Sequence, residues 1–275
     1  MAVWIFMRKR RNDSSLVPLA IVAAVAVLLI AIMGALSGRE PAAADDVTAE
    51  GIAYLEALEQ KDPAAVMQVR QQIYDAKIDA QRDQLVAQLN NGSTDPFSLF
   101  QNYVLMGDSR AVGFWYHNYL EKGRTFCDGG HTIRKLEEYM DTVVSMEPTA
   151  VYLTYGLNDC SSGYWDSIDA WITQYMQLVQ ELKQRLPDAT VVVSSIPQVN
   201  SDAYAKSTRW KALDDWNVAL KKACKDNGVT YAECSQILVD HPNYLDPVDG
   251  HHFRKEFYPY WASCLVAAML MEGAA

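Results

Sequence analysis

The chain has 275 residues, half of them hydrophobic, enough for one domain with a substantial buried core and an additional segment. With 24 Lys and Arg against 34 Asp and Glu, its formal charge of −10 argues against a nucleic-acid partner, whose phosphates demand a basic face. Its five cysteines, Cys127, Cys160, Cys224, Cys234 and Cys264, show no Cys-x-x-Cys spacing of the kind used by zinc and redox sites.

Residues 1–15 form a basic tail with Arg8, Lys9, Arg10 and Arg11. Residues 16–36, "LVPLAIVAAVAVLLIAIMGAL", carry no charge over 21 positions, which at ~1.5 Å per helical residue spans a ~30 Å hydrocarbon layer. This reads as a single transmembrane anchor with the basic tail in the cytoplasm and the remainder outside. A cleaved signal peptide is the alternative, although secretory apolar regions run only ~7–15 residues. Removing residues 1–36 takes away four basic residues and Asp13, leaving 20 Lys and Arg against 33 Asp and Glu on the exported part. Every cysteine also falls on that part, where oxidation is possible, and their odd number leaves at least one free or paired between chains.

Residues 37–50, "SGREPAAADDVTAE", read as a flexible linker, followed by a helical stalk over residues 51–96. Within the stalk a short helix covers 51–60; Asp62-Pro63 opens a second that runs to about Asn90, where Asn91-Gly92 supplies the stop. Its apolar positions Val66, Val69, Ile73, Ala76 and Ala80 follow a three-four spacing that Asp83 breaks. The stripe suits a dimer through the stalk, or a helix packed on its own domain.

Residues 97–275 alternate strand-like runs (103–106, 125–127, 150–155, 190–196, 229–233) with helical stretches (111–122, 132–146, 164–186, 207–227, 255–271). Five buried strands joined by helices predict an α/β fold, a flavodoxin-like, doubly wound, five-stranded parallel sheet. Ligands in such folds sit at the carboxyl ends of the strands.

Those ends deliver polar residues in four loops: Gly107-Asp108-Ser109-Arg110, Asp128-Gly129-Gly130-His131-Thr132, Gly156-Leu157-Asn158-Asp159 and Asp249-Gly250-His251-His252. A serine at the predicted start of a helix is either a cap or a nucleophile. For the second role it needs a histidine base whose tautomer a third group fixes, and Asp249 lies three residues before His252. His251 competes for the same role, and Asp246 offers a second carboxylate in that loop. Gly130, or its neighbour Gly129, can present a backbone N–H and Asn158 a side-chain amide to a tetrahedral oxyanion.

Taken together, these blocks resemble the SGNH/GDSL hydrolase superfamily in order and spacing, over roughly residues 97–275. The resemblance implies the SGNH hydrolase fold and a serine esterase or acylhydrolase with Ser109 as nucleophile, His252 as base and Asp249 as its orienting carboxylate. It further implies an oxyanion hole from Ser109, Gly130 and Asn158, and neither metal nor cofactor. Arg110 departs from the leucine of the family's name and puts a cation near the substrate. Arg110, Tyr164, Trp165 and His251 are the expected substrate contacts, with Tyr152 and Trp171 in the core. The expected substrate is an acyl ester, with acetyl on an envelope or extracellular glycan preferred on location and family analogy. The same triad could serve a glycan O-acyltransferase, and the same fold an idle binding module. Cys127 and Cys160 flank the two oxyanion loops and are a candidate disulfide, with Cys224 and Cys234 a weaker pair.

Overall fold

The computed structural model describes residues 62–272. The expected basic tail, transmembrane segment 16–36, linker 37–50 and short helix 51–60 lie outside them. Among the described residues no helix is long and apolar enough to cross a membrane. The chain divides into two compact units, Met1–Gln72 and Ile73–Ala275, with the boundary inside helix α1 (Pro63–Asn90).

In the first unit, Asp62 caps α1 as predicted, its Oδ1 accepting the Ala64 N–H at 2.9 Å, while Val66 and Val69 stand exposed. In the second, Leu85 and Val86 pack on the core and Leu89 is buried in it, and Asp75 pairs with Lys225. This part of α1 therefore packs on its own domain. It stops where Asn91-Gly92 was expected to stop it.

Five parallel strands follow: β1 (Tyr103–Gly107), β2 (Thr125–Cys127), β3 (Ala150–Thr154), β4 (Thr190–Ser194) and β5 (Thr230–Ala232), in the order β2-β1-β3-β4-β5. Successive side chains point to opposite faces, so β1 sends Val104 and Met106 into one core and Tyr103 and Leu105 into the other; β3 divides Val151 and Leu153 from Ala150 and Tyr152 in the same way. Helices α3 (Arg134–Ser145), α5 (Ile168–Arg185) and α6 (Leu213–Asp226) contribute to the first core, and α8 (Phe257–Glu272) to the second. With apolar layers on both faces, the strands are nearly all buried, which is why they read as continuous hydrophobic runs.

Three expected helices differ. The stretch 111–122 yields only α2 (Gly113–Tyr116), because the N–H groups of Tyr119 and Leu120 both turn back to the Phe114 carbonyl and Asn118 adopts φ 60°. The stretch 164–186 starts late, at Ile168, where the Ser167 hydroxyl caps Ala170 N–H at 3.1 Å; a separate short helix, α4 (Leu157–Ser162), precedes it and ends on Gly163 at φ 74°. The stretch 207–227 opens with a 3₁₀ turn, Thr208–Ala212, before α6 begins. A last short helix, α7 (Gln236–Asp240), follows β5.

Candidate active site

The strand order reverses between β1 and β3, the switch point at which such sheets open a crevice. Ser109 follows β1 and Asn158 follows β3, so both stand at its mouth. Ser109 is not at the start of a long helix. It lies in a tight turn, with Ala111 N–H donating to Asp108 O at 3.1 Å and Val112 N–H to Ser109 O at 3.3 Å, ahead of the single turn of α2.

His252 brings its Nε2 to 2.9 Å from Ser109 Oγ, and its Nδ1 to 2.7 Å from Asp249 Oδ2. A carboxylate only accepts, so Nδ1 carries the proton, and Nε2 of the neutral ring is left to accept from the serine hydroxyl. The other carboxylate oxygen, Oδ1, accepts the backbone N–H groups of His251 and His252, each at 3.0 Å. Burial alone would raise the Asp249 carboxyl, but the hydrogen bonds from the His252 N–H and ring and from the His251 N–H outweigh it and hold the group well below the usual carboxylate range. The loop is thus built to keep a charged carboxylate against one face of His252.

Asn158 Nδ2 donates to the His131 carbonyl at 3.0 Å, joining the loops after β2 and β3 and leaving its second N–H for another acceptor. The backbone N–H groups of Ser109 and Gly130 have no partner among the described residues. Gly129 N–H is taken by its neighbour's carboxylate, Asp128 Oδ1, at 2.7 Å, which leaves Gly130 as the glycine with a free donor in that loop.

Asp159 completes the brace. Its Oδ1 accepts the Ile133 N–H and Trp171 Nε1–H, both at 3.0 Å, while burial pushes its carboxyl up to about 7. Trp210 adds a second brace, its Nε1–H donating to Leu157 O at 3.0 Å and its ring lying 5.2 Å from that of His251.

Two expected substrate contacts are corrected. Arg110 is 1% exposed: Nη1 donates to Pro197 O at 2.7 Å, Nε lies 3.7 Å from Asp108 Oδ1, and the guanidinium sits 5.3 Å over the Phe253 ring. The β1 turn points it inward, so it faces no substrate. His251 is also buried, its Nδ1 bonded to the Asp249 carbonyl at 3.0 Å and its ring wedged between Trp210 and His252; burial pushes it below the ordinary imidazole value despite its hydrogen bond to Asp249. Asp246 serves the turn, accepting the Val248 N–H at 2.8 Å, and does not orient His251.

Tyr164 is exposed and Trp165 half-buried, while Tyr152 and Trp171 are fully buried, as expected of core residues. The expected disulfides are absent: all five cysteines are free and buried. Asp249, His251 and His252 gather ligand-type atoms within 4.8 Å of one another, but Asp249 already spends both oxygens, and His252 its Nδ1, on hydrogen bonds within the loop.

Sequence reasoning missed the inward-facing Arg110 and the Trp210 brace. Nothing in the spacing of Trp210 from the four blocks signals its contact with two of them.

A scan of protein families matches the GDSL-like lipase/acylhydrolase family over residues 105–258. Among solved structures, the chain is similar to a GDSL-like lipase from Bacteroides thetaiotaomicron at 17% identity, covering 71% of this chain and 99% of that one with a TM-score of 0.53. An acylhydrolase from Bacteroides fragilis matches at 18% identity, covering 70% and 97% with a TM-score of 0.53. A GDSL-like lipase from Parabacteroides merdae matches at 14% identity, covering 62% and 95% with a TM-score of 0.52. At these identities the likeness shows a common fold. No curated protein matches the chain by sequence.

Proposed function

The chain belongs to the GDSL-like lipase/acylhydrolase family and is an ester-hydrolysing serine hydrolase; from that premise we propose that Ser109 is the nucleophile, His252 the general base and Asp249 its orienting carboxylate. The observation that carries this reading is the continuous relay from Ser109 Oγ through His252 to Asp249, with contacts of 2.9 and 2.7 Å, at the switch point of the sheet.

His252 Nε2 takes the hydroxyl proton as Ser109 Oγ attacks the ester carbonyl, and the oxyanion falls to the N–H groups of Ser109 and Gly130 and the second N–H of Asn158. Collapse expels the alcohol, which receives the proton from His252. A water molecule, deprotonated by the same nitrogen, then attacks the acyl-enzyme, and Ser109 regains the proton as the acid leaves.

The finer reading is an acetyl esterase acting outside the cytoplasm on envelope or extracellular glycans. Its support is the uncharged 21-residue segment at 16–36 behind a basic tail, which would anchor the domain with its site outside. Val66 and Val69, exposed on α1, leave an apolar surface on which a stalk dimer could form.

The test is hydrolysis of p-nitrophenyl acetate and butyrate by the full chain in detergent, beside Ser109→Ala and His252→Ala. Both variants should stay folded and lose at least ~10³-fold in kcat, with acetate turned over faster than butyrate. A folded wild type inert toward both esters and toward a serine-directed phosphonate would transfer the reading to a glycan O-acyltransferase that needs its own donor, or to a binding module.

A further inference from the structure

The burial of Arg110 removes the cation that the sequence places beside the substrate, yet the rim of the site is not left without positive charge. Two other basic side chains, Arg134 and Arg209, meet at the turn that follows α4. Arg134, on the first turn of α3 and three residues past His131, lays its guanidinium 4.7 Å over the exposed Tyr164 ring. Arg209 comes from the 3₁₀ turn Thr208–Ala212 and reaches the same place from another element: a Cβ on Gly163 would lie 3.1 Å from its Nη1. Its carbonyl also accepts the Cys160 thiol at 3.3 Å. Gly163 and Tyr164 directly follow α4, which carries Asn158 and is only ~9 Å long.

Neither arginine has a carboxylate within 4.0 Å among the described residues, although Asp128, Asp166 and Asp202 are exposed on the neighbouring turns. On other helices, Arg82, Arg185, Lys222 and Lys225 are each paired with an acidic side chain. In a chain of net charge −10, two guanidinium groups without a carboxylate partner converge from α3 and the Thr208–Ala212 turn on Gly163 and Tyr164, the turn that follows α4.

We propose that Arg134 and Arg209 form an anion-binding rim that selects acyl esters whose carrier bears an oxyanion, carboxylate or phosphate, next to the esterified hydroxyl. The inference rests on the esterase reading and supplies its substrate class. Guanidinium forks match planar oxyanions in two-point contacts, and a cation already laid on an aromatic ring is pre-oriented to make them. Such a rim adds affinity and encounter rate for an anionic carrier and leaves the chemistry to the residues behind it.

The experiment compares kcat/KM of the full chain for O-acetylated polygalacturonate and for O-acetylated glucomannan, an uncharged carrier. The wild type should favour the polygalacturonate by about fivefold or more, through KM, and 0.5 M NaCl should erase most of that preference. Arg134→Gln/Arg209→Gln should bring the ratio close to one. Arg185→Gln/Lys222→Gln removes the same charge near the C-terminal ends of α5 and α6, at the opposite edge of the sheet, and should keep the wild-type ratio. Competition by de-esterified polygalacturonate above that by polyphosphate assigns the rim to carboxylates, and the reverse assigns it to phosphates. Inhibition by neither overturns the rim, as does a wild-type ratio of one or a ratio that the Arg134/Arg209 variant leaves in place. A protein that cleaves p-nitrophenyl acetate and glucomannan without preference for charge loses only this inference; one that cleaves no ester loses the esterase reading beneath it.

Discussion

Arg110 Nη1 donates to the carbonyl oxygen of Pro197 at 2.7 Å, linking the turn that carries Ser109 to the loop after β4. The same guanidinium faces Asp108 and the Phe253 ring, next to His252, and the Arg110 carbonyl accepts the Tyr258 hydroxyl at 2.9 Å. One buried side chain therefore ties the segments holding nucleophile and base to a common point. Arg110→Leu leaves the Asp108 carboxylate buried without its counter-charge, and losing one member of a buried pair costs about 3 kcal/mol or more. Thermal unfolding should show a clear fall in Tm. Asp108→Asn/Arg110→Leu should recover part of it, because no uncompensated charge remains. A Tm for Arg110→Leu equal to that of the wild type would show that Arg110 does not hold this junction.

Gly130 and Gly156 both adopt positive φ, 74° and 142°, but for different reasons. A Cβ on Gly130 would meet nothing within 4 Å, so Gly130→Ala carries only the conformational cost, about 1 kcal/mol. Any drift of its N–H away from the oxyanion position would appear as a fall in kcat of up to ~10²-fold. On Gly156 the Cβ would meet Ile196 Cγ1 at 2.4 Å, so Gly156→Ala must displace the buried Ile196 side chain or the backbone that opens α4 and should lower Tm far more. Equal destabilisation by the two substitutions would contradict this assignment.

How far the sequence foretold this arrangement depends on the range of the forces involved. Strands β1, β3 and β4 were legible because each is buried on both faces and so reads as a nearly unbroken apolar run; Asp249 and His252 were legible because three residues of one loop set their contact. The short α2 was not, since a backbone turn at Asn118 ends it between apolar residues, and α4 was not, since its six residues are too few to show a helical period. The direction of Arg110 was hidden for a further reason: a charged residue beside a nucleophile reads as a substrate contact unless Pro197, 87 positions away, is known to accept from it.

The five buried thiols give a chemical check on the corrected disulfides. Burial pushes Cys160 up to about 11 and Cys224 up to about 12, so neither offers a thiolate at neutral pH. Native protein should react slowly with a thiol-directed disulfide reagent, and five equivalents should react after denaturation without reductant. Fewer than five would reveal a disulfide, and fast labelling of the native protein would contradict the burial.

Asp159 supplies a pH dependence with a definite sign. Its folded carboxyl titrates at about 7, against ~3.9 in an unfolded chain, so between these values the folded state holds a proton that the unfolded state has released. Its contribution is fully present below pH ~4 and is lost as pH rises through 7, on the order of a few kcal/mol across the window. An asparagine keeps a carbonyl oxygen for the Ile133 N–H and Trp171 Nε1–H and carries no charge at any pH. Asp159→Asn should therefore gain Tm over the wild type at pH 8 and lose that advantage at pH 5, with the other titrating groups common to both proteins. A difference in Tm that is the same at both pH values would place the Asp159 pKa outside this window and remove the burial argument for it.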